Sequence, residues 1–186
     1  MERYYQDILL SLAREAIESS LTGGPMPLFE QLKCEEKPVF QREQGCFVTL
    51  ATKKGELRGC IGNLWGKGPL WQEIPALARQ SAFSDPRFHP VEKEELNNLV
   101  IEISLLTTME LLEDWHQIRL GIDGVLLAHG YHRAVFLPQV PVQQGWDLPT
   151  MLTQLSLKAG LWQDAYTDSA CTFEVFQAEV FSEEVP

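Results

Sequence analysis

The chain has 186 residues, of which 45% are hydrophobic, and this size and composition are typical of one globular domain with a buried core. Its formal net charge of −11 argues against a general nucleic-acid binder, because such binding depends on lysine and arginine side chains that neutralise phosphates. No apolar run approaches the length of about 20 residues that spans a bilayer. Because the N-terminus is typical of an amphipathic helix rather than a signal peptide, we expect a cytoplasmic protein with no membrane span.

The first half of the chain predicts a helix, a β-hairpin and a second helix. Apolar residues recur at helical spacing from about residue 3 to residue 20, and Gly23 and Gly24 end this helix. The connector that follows has room for a short helix over residues 27–32. Residues 46–52 and 56–61 are predicted to pair as a hairpin across a Lys-Lys-Gly turn. Pro69 suits the first turn of the next helix, which extends to Ser81.

The second half predicts further strands and one more helix. Residues 98–107 are expected to form a strand, and residues 124–128 and 133–137 a second hairpin, whose surface turn carries two histidines. Residues 138–141 are expected to form a loop, Asp147 to cap a helix and Gly160 to end it. Residues 171–181 read as one strand with a bulge between Val175 and Phe176. Because strands and helices mix without regular βαβ alternation, the predicted class is α+β, with a mainly antiparallel sheet and packed helices.

Charge is unevenly distributed along the chain. The segment from Arg42 to Glu92 has seven basic and five acidic residues, whereas the remainder has eight basic and 21 acidic residues. This segment is therefore mildly basic in an acidic protein, which permits an anionic ligand there. The four cysteines include no CxxC pair, so reduced thiols are expected and no metal site is predicted.

The most chemically suggestive stretch is Gly55-Glu56-Leu57-Arg58-Gly59-Cys60-Ile61-Gly62, in that mildly basic segment. Glycine is unusual in a strand interior and indicates a bulge, a bend or the close approach of another group. In an extended chain Arg58, Cys60 and Gly62 face one way and Gly59 the other. A guanidinium and a thiol on one face predict a ligand-binding strand, with Arg58, Gly59 and Gly62 as ligand-binding residues.

Each candidate residue has a structural and a functional interpretation. Cys60 is either a small buried apolar residue or a thiolate whose pKa is lowered by a neighbouring cation, for which Arg58 is the candidate. Arg58 either forms an ion pair, for example with Glu102 of a neighbouring strand, or binds phosphate or carboxylate through both nitrogens of its fork. Glu102 lies within an apolar run and therefore needs a partner if it is buried.

The segment Asp85-Pro86-Arg87-Phe88-His89 supplies further candidates. Asp85 and Arg87 either brace a turn or contribute an acid and a second cation to the same cleft. His89 is either a solvated loop histidine or a general base for Cys60. Gln139, beside Phe136 and Pro138, either lines a pocket or packs at a strand end. Chelation of a metal by Cys60, His89 and carboxylates is the least favoured alternative.

Several blocks of sequence together resemble one known family. Leu57-Arg58-Gly59-Cys60-Ile61-Gly62 is similar to the signature hexapeptide of the AMMECR domain family, protein A of the AmmeMemoRadiSam system. The preceding strand resembles that of the family, and Ala134 stands where a glycine is more usual. Further similar blocks follow in the same order: Asp85-Pro86-Arg87-Phe88, Ile101-Glu102-Ile103-Ser104, Phe136-Leu137-Pro138-Gln139-Val140, Gly145-Trp146-Asp147 and Lys158-Ala159-Gly160-Leu161.

The resemblance implies one AMMECR-type domain over residues 1–186, with a larger α+β lobe, a smaller lobe and a RAGNYA-like core. It implies two partners, a Memo-like protein and a radical SAM protein, but no established reaction or cofactor. One hypothesis is an enzyme or enzyme subunit that binds a nucleotide or nucleic-acid base beside Arg58 and Cys60. Cys60 is then the nucleophile or redox thiol, with Glu102 or Asp85 as the acid–base group and Arg58, Arg87 and Gln139 as ligand contacts. The alternative is a non-catalytic adaptor that scaffolds the two partners.

Overall fold

The computed structural model describes residues 1–24 and 37–184, which form two compact units. The first unit consists of Met1–Leu106 and Glu179–Pro186, and the second of Thr107–Ala178. The helix expected over residues 27–32 lies outside the described residues. Each unit combines helices with an antiparallel sheet, which confirms the predicted α+β class.

The described residues form four α-helices and eight strands. The helices are α1 (Arg3–Thr22), α2 (Leu70–Phe83), α3 (Gln139–Gln144) and α4 (Leu148–Lys158). The strands are β1 (Cys46–Thr52), β2 (Leu57–Asn63), β3 (Leu99–Leu106), β4 (Glu110–Leu112), β5 (Gly124–His129), β6 (His132–Phe136), β7 (Thr172–Phe176) and β8 (Ala178–Ser182). None of the helices in residues 1–24 and 37–184 is both long and apolar enough to cross a membrane.

The first unit is built on a sheet with strand order β2-β1-β3-β8, in which β1 is antiparallel to both of its neighbours. Side chains alternate between the two faces of each strand. Val48 and Leu50 therefore point to one face, where they join the hydrophobic core formed with α1 and α2. Thr49 points to the opposite face, which we call the open face because both helices pack on the other side.

The second unit is built on a sheet with strand order β4-β7-β5-β6. Its core includes Leu127, Phe173 and residues of α4, among them Leu152 and Leu155. Asp147 caps α4 as predicted, since its side chain accepts a hydrogen bond from the backbone N–H of Thr150 at 2.9 Å. The three-residue strand β4 was not predicted, because so short a segment carries little alternation.

The prediction of a loop over residues 138–141 is wrong, because the short helix α3 begins at Gln139. Pro138 precedes that helix and Pro141 lies in its first turn. The N–H groups of a first helical turn have no intrahelical partner, so proline removes no hydrogen bond there. Two prolines therefore mark a helix start at this point rather than a break.

The C-terminal prediction of one bulged strand is also wrong. The chain forms β7 and β8 instead, in different sheets, with Gln177 between them. The backbone N–H of Gln177 leaves the strand ladder and donates to the Thr107 hydroxyl at 2.9 Å. The slip in apolar phase after Val175 therefore reflects a change of sheet, which a single sequence does not distinguish from a bulge.

Candidate functional site

The glycine-rich stretch forms β2, at one edge of the first sheet. It pairs with β1 in the register Thr49 to Cys60 and Leu50 to Gly59, after which Ala51 pairs with Leu57. Arg58 thus has no paired residue in β1 and forms a β-bulge. A bulge breaks the alternation of side chains, so Arg58 and Cys60 do not follow the simple two-residue period expected from the sequence.

A row of three polar side chains crosses the open face. Thr49 of β1 pairs with Cys60 on one side and with Glu102 of β3 on the other. Directly paired residues of antiparallel strands project to the same face, so the thiol, hydroxyl and carboxylate are neighbours. We call Cys60, Thr49 and Glu102 the polar row.

Cys60 lies at the end of the polar row and is half-buried. Burial raises the pKa of its thiol, and the charges of Asp85 and Glu102 raise it further. A hydrogen bond from the Thr49 hydroxyl to Sγ, 3.3 Å long, and the positive charge of Arg87 lower it in part. The hypothesis of a pKa lowered by Arg58 is therefore wrong in direction, and the cation that acts on the thiol is Arg87.

Glu102 lies at the other end of the polar row and is also half-buried. Within the described residues its carboxylate has no hydrogen bond or ion pair, and burial raises its pKa. Ser104, two residues further along the same face, is fully buried, and its Oγ finds no hydrogen-bond partner in residues 1–24 and 37–184. This part of the open face therefore holds polar groups that nothing in the described protein satisfies.

Arg58 forms the ion pair that the sequence suggested, but with Glu95 instead of Glu102. Its Nε and Nη2 donate to the two carboxylate oxygens of Glu95 at 2.7 and 3.0 Å, and this hydrogen bonding lowers the pKa of Glu95. Glu95 also accepts a hydrogen bond from the backbone N–H of Glu92. Arg58 is thus tied to the short 3₁₀ segment ahead of β3, and two of its three guanidinium nitrogens are engaged.

Asp85 ties the following loop to β2. Its side chain is buried, accepts a hydrogen bond from the Cys60 backbone N–H at 2.8 Å, and binds Arg87 through both oxygens at 3.0 and 2.7 Å. These contacts, chiefly the hydrogen bonds from Arg87, hold the pKa of Asp85 far below its usual value. Asp85 therefore stays ionised at neutral pH and is suited to position Arg87, not to the acid–base role proposed from the sequence.

Arg87 is held against the backbone of Cys60, since its Nη2 also donates to the Cys60 carbonyl at 3.1 Å. Its side chain is 53% exposed, and Nη1 makes no hydrogen bond to any described residue. The ring of Phe88 lies 5.4 Å from its guanidinium carbon. A rigidly held arginine with one free nitrogen edge is suited to bind an anion beside the thiol.

The two glycines of the motif have different packing reasons. A Cβ on Gly59 would lie 2.1 Å from the Ser81 carbonyl oxygen of α2, so Gly59 faces the helix and not the open face. Ser81 also bridges the two elements, because its Oγ accepts from the Ile61 N–H at 2.9 Å and donates to the Val48 carbonyl at 2.7 Å. A Cβ on Gly62 would lie 2.2 Å from the ring of Phe47. Gly59 is therefore a close-packing residue, and only Gly62 belongs to the open face.

The side chains of two sequence candidates make no hydrogen bond to a described residue. His89 is exposed, and no hydrogen bond links it to any described residue. Gln139 belongs to the second unit, where its Oε1 is buried with no hydrogen-bond partner among residues 1–24 and 37–184. No group of three or more metal-ligating side chains occurs within the same described ranges. Thr49 and Glu95 were missed, because only the strand register and the tertiary fold bring them to Cys60 and Arg58.

Comparison with known proteins identifies the chain's relatives. The AMMECR1 family model matches residues 10–181, which is most of the chain. The chain belongs to the AMMECR1 family. This finding confirms the resemblance carried by the hexapeptide and the blocks around it.

This AMMECR1-family chain aligns with its relatives over nearly the whole length of both proteins. It is 39% identical to protein MJ0810 of Methanocaldococcus jannaschii in an alignment of 182 positions that covers 94% of this chain and 88% of that protein. It is 35% identical to protein NEQ441 of Nanoarchaeum equitans, over 95% of this chain and 99% of that protein. The crystal structure of the uncharacterised protein PH0010 of Pyrococcus horikoshii superposes with a TM-score of 0.89 at 37% identity, over 100% of this chain and 95% of PH0010.

In this AMMECR1-family protein, Arg87→Met is expected to slow alkylation of Cys60 at pH 8. The change removes the charge that lowers the pKa of the Cys60 thiol and frees the charge of Asp85, which raises it. Each unit of increase in the pKa of Cys60 reduces the fraction of thiolate, and hence the rate of alkylation, about ten-fold. Iodoacetamide labelling of the folded protein across a pH series, measured peptide by peptide, gives the apparent pKa.

The control for this measurement is Arg79→Met, an exposed arginine of α2 that does not contribute to the pKa of Cys60. Glu102→Gln is expected to speed the alkylation of Cys60, because it removes a charge that raises the pKa of the thiol. Cys46 is buried, and burial raises the pKa of its thiol to about 12, so it should stay unlabelled throughout. Equal rates in Arg87→Met and Arg79→Met would show that Arg87 does not influence the thiol.

Proposed function

We propose that this chain is a cytoplasmic thiol-dependent enzyme, or the ligand-binding subunit of one, that binds a nucleotide or nucleic-acid base on the open face beside β2. Cys60 is the nucleophile. The observation that supports this most is the polar row, in which a thiol, a hydroxyl and a carboxylate with no partner among the described residues lie on three neighbouring strands. A half-buried carboxylate with a raised pKa and no partner in residues 1–24 and 37–184 is a candidate for contact with a ligand or for proton transfer.

The chemistry follows from the environment of each group. Because burial raises the pKa of Cys60, the thiol is protonated in the resting protein, and a nucleophilic role requires that another group take its proton. Glu102 lies across Thr49 on the same face and has a raised pKa, so it can take that proton through a ligand group or a water that bridges the two strand spacings, about 10 Å, between them. The Thr49 hydroxyl donates to Sγ and stabilises the thiolate that forms. Arg87 offers its free edge to a phosphate or another anionic group of the ligand.

The test compares cells that lack the native protein and carry wild type, Cys60→Ser or Cys171→Ser. Cys171 is the matched control, a half-buried thiol of the second unit whose pKa burial likewise raises. We expect Cys60→Ser to leave the metabolite profile of the deletion strain unchanged, and Cys171→Ser to restore the wild-type profile. A Cys60→Ser protein that restores the wild-type profile would exclude a catalytic thiol.

A second candidate function is the adaptor that scaffolds a Memo-like protein and a radical SAM protein. Two observations favour it: burial raises the pKa of Cys60 instead of activating it, and 21 of the 26 acidic residues lie outside the segment 42–92. Co-purification from the same three strains separates the two functions. An adaptor retains both partners in Cys60→Ser and restores the wild-type profile, whereas an enzyme retains its partners and does not.

A further inference from the structure

A phenylalanine on the open face lies directly beside the polar row. Phe47 of β1 pairs with Gly62 of β2 on one side and with Ser104 of β3 on the other. The absent side chain of Gly62 leaves the space that the ring occupies, since a Cβ there would lie 2.2 and 2.3 Å from two ring carbons. One side of the ring therefore rests on the backbone of β2.

The environment of this ring differs from that of a core phenylalanine. Phe47 is half-buried, and the core cluster of the first unit, as far as that unit is described, does not include it. Phe40, by contrast, is fully buried in that core. A glycine on an edge strand thus leaves room for an aromatic ring on the face opposite the helices, where the side chain is partly accessible.

We propose that Phe47 is the stacking platform for the planar base of a nucleotide whose phosphate binds Arg87. This inference rests on the proposed function and specifies its ligand class. Base–aromatic stacking tolerates different bases and commonly contributes a large part of nucleotide affinity. The ligand is therefore recognised as a flat ring joined to an anion.

The spacing of the strand fits such a ligand. The Phe47 ring packs on Gly62, and Arg87 donates a hydrogen bond to the carbonyl of Cys60, two residues earlier in β2. Two residues correspond to about 7 Å along a strand. The base and the phosphate of one nucleoside monophosphate can bridge such a separation. The polar row lies beside the ring, so Thr49 and Glu102 face the edge of a stacked base and can hydrogen-bond to its N–H groups.

The experiment measures how ligands protect Cys60 of the full-length protein from iodoacetamide. The probes are AMP, UMP and ribose 5-phosphate, which share the sugar and phosphate while only the first two have a base. In wild type we expect AMP and UMP to protect at concentrations at least about ten-fold lower than ribose 5-phosphate does. In Phe47→Leu the two nucleotides should lose that advantage, while ribose 5-phosphate protects as before.

Two further variants separate stacking from packing. Phe47→Tyr keeps the ring and should keep the preference for nucleotides over ribose 5-phosphate. Phe83→Leu changes a partly buried phenylalanine that packs on the core of the same unit, and it should leave that preference unchanged. Equal protection by AMP and ribose 5-phosphate in wild type would overturn the stacking role and leave an anion site at Arg87 standing. A nucleotide preference that survives in Phe47→Leu would also overturn it. Protection by none of the three probes would overturn both this inference and the proposed nucleotide ligand.

Discussion

Replacing Gly59 by alanine is expected to destabilise the protein by about 3 kcal/mol, which is a large share of the stability of an ordinary domain. The new Cβ would lie 2.1 Å from the carbonyl oxygen of Ser81 and 3.1 Å from its carbonyl carbon. Both atoms belong to the backbone of α2, so no side-chain rotation relieves the clash. The helix must move away from β2, and the hydrogen bonds of Ser81 to Val48 and Ile61 stretch or break.

Chemical denaturation of wild type and Gly59→Ala measures this effect as a shift in midpoint at constant slope. Gly68→Ala is the matched control, because a Cβ there meets nothing closer than 3.9 Å and the backbone has no positive φ. We expect that variant to stay within about 0.5 kcal/mol of wild type. If Gly59→Ala were as stable as Gly68→Ala, the close contact between α2 and the motif strand would be incorrect.

Asp85→Asn is expected to cost about 2–3 kcal/mol at pH 7 and to loosen Arg87. Asp85 is 4% exposed and receives hydrogen bonds from the backbone of Cys60 and Arg87 and from the Arg87 guanidinium. An asparagine can still accept a bond from Cys60, but it loses the charge that pairs with Arg87. Hydrogen bonds to charged groups contribute more than neutral ones, and removing one partner of a buried pair is strongly destabilising.

The pH dependence of this loss has a defined sign. The pKa of Asp85 is lowered in the folded state, chiefly by its hydrogen bonds from Arg87. Its stabilisation is therefore fully present above the unfolded pKa, near 3.8, and is lost as the pH falls through the lower folded value. The difference in unfolding free energy between wild type and Asp85→Asn should be constant from pH 7 to about pH 5 and shrink below about pH 4.

Asp7→Asn provides the comparison for a solvated ion pair. Asp7 accepts from Arg3 at 2.8 Å, and both side chains are about half exposed. Exposed pairs of this kind contribute about 0.5 kcal/mol or less. An Asp85→Asn protein no less stable than Asp7→Asn at pH 7 would contradict the proposal that Asp85 holds Arg87 in place. Loss of the Arg87 effect on Cys60 alkylation in Asp85→Asn would confirm it.

Much of the first unit follows from local sequence. The apolar run of residues 46–52 predicted β1 with the bounds observed, Cys46–Thr52, and helical spacing predicted α1 and α2. The hairpin between β1 and β2 was also predicted, because the Lys-Lys-Gly turn joins two segments that are adjacent in the chain. These predictions succeed where propensity, turn chemistry and apolar pattern indicate the same structure.

The contacts of the site do not follow from local sequence. The two-residue period placed Arg58 beside Cys60, but a β-bulge, which the glycines suggested without giving its position, interrupts that period at Arg58, and Arg58 pairs with Glu95. The cation at the thiol is Arg87, which lies 27 residues away. Glu102 was selected from the sequence as a carboxylate in an apolar run, yet only the register of β1 with β3 shows that it faces Thr49 and not Arg58.

The sequence by itself determined the family, through the hexapeptide and its companion blocks, together with the α+β class, and it proposed Cys60, Glu102 and Asp85 as site candidates. The tertiary structure decided what those residues do. Asp85 is ionised and holds Arg87, Glu102 has no partner in the described part of the chain, and Gly59 packs against a helix while Gly62 makes room for Phe47. The physical reason is that secondary structure depends on near neighbours in the chain, whereas burial, ion pairing and pKa depend on groups that strand register and helix packing bring together from distant positions.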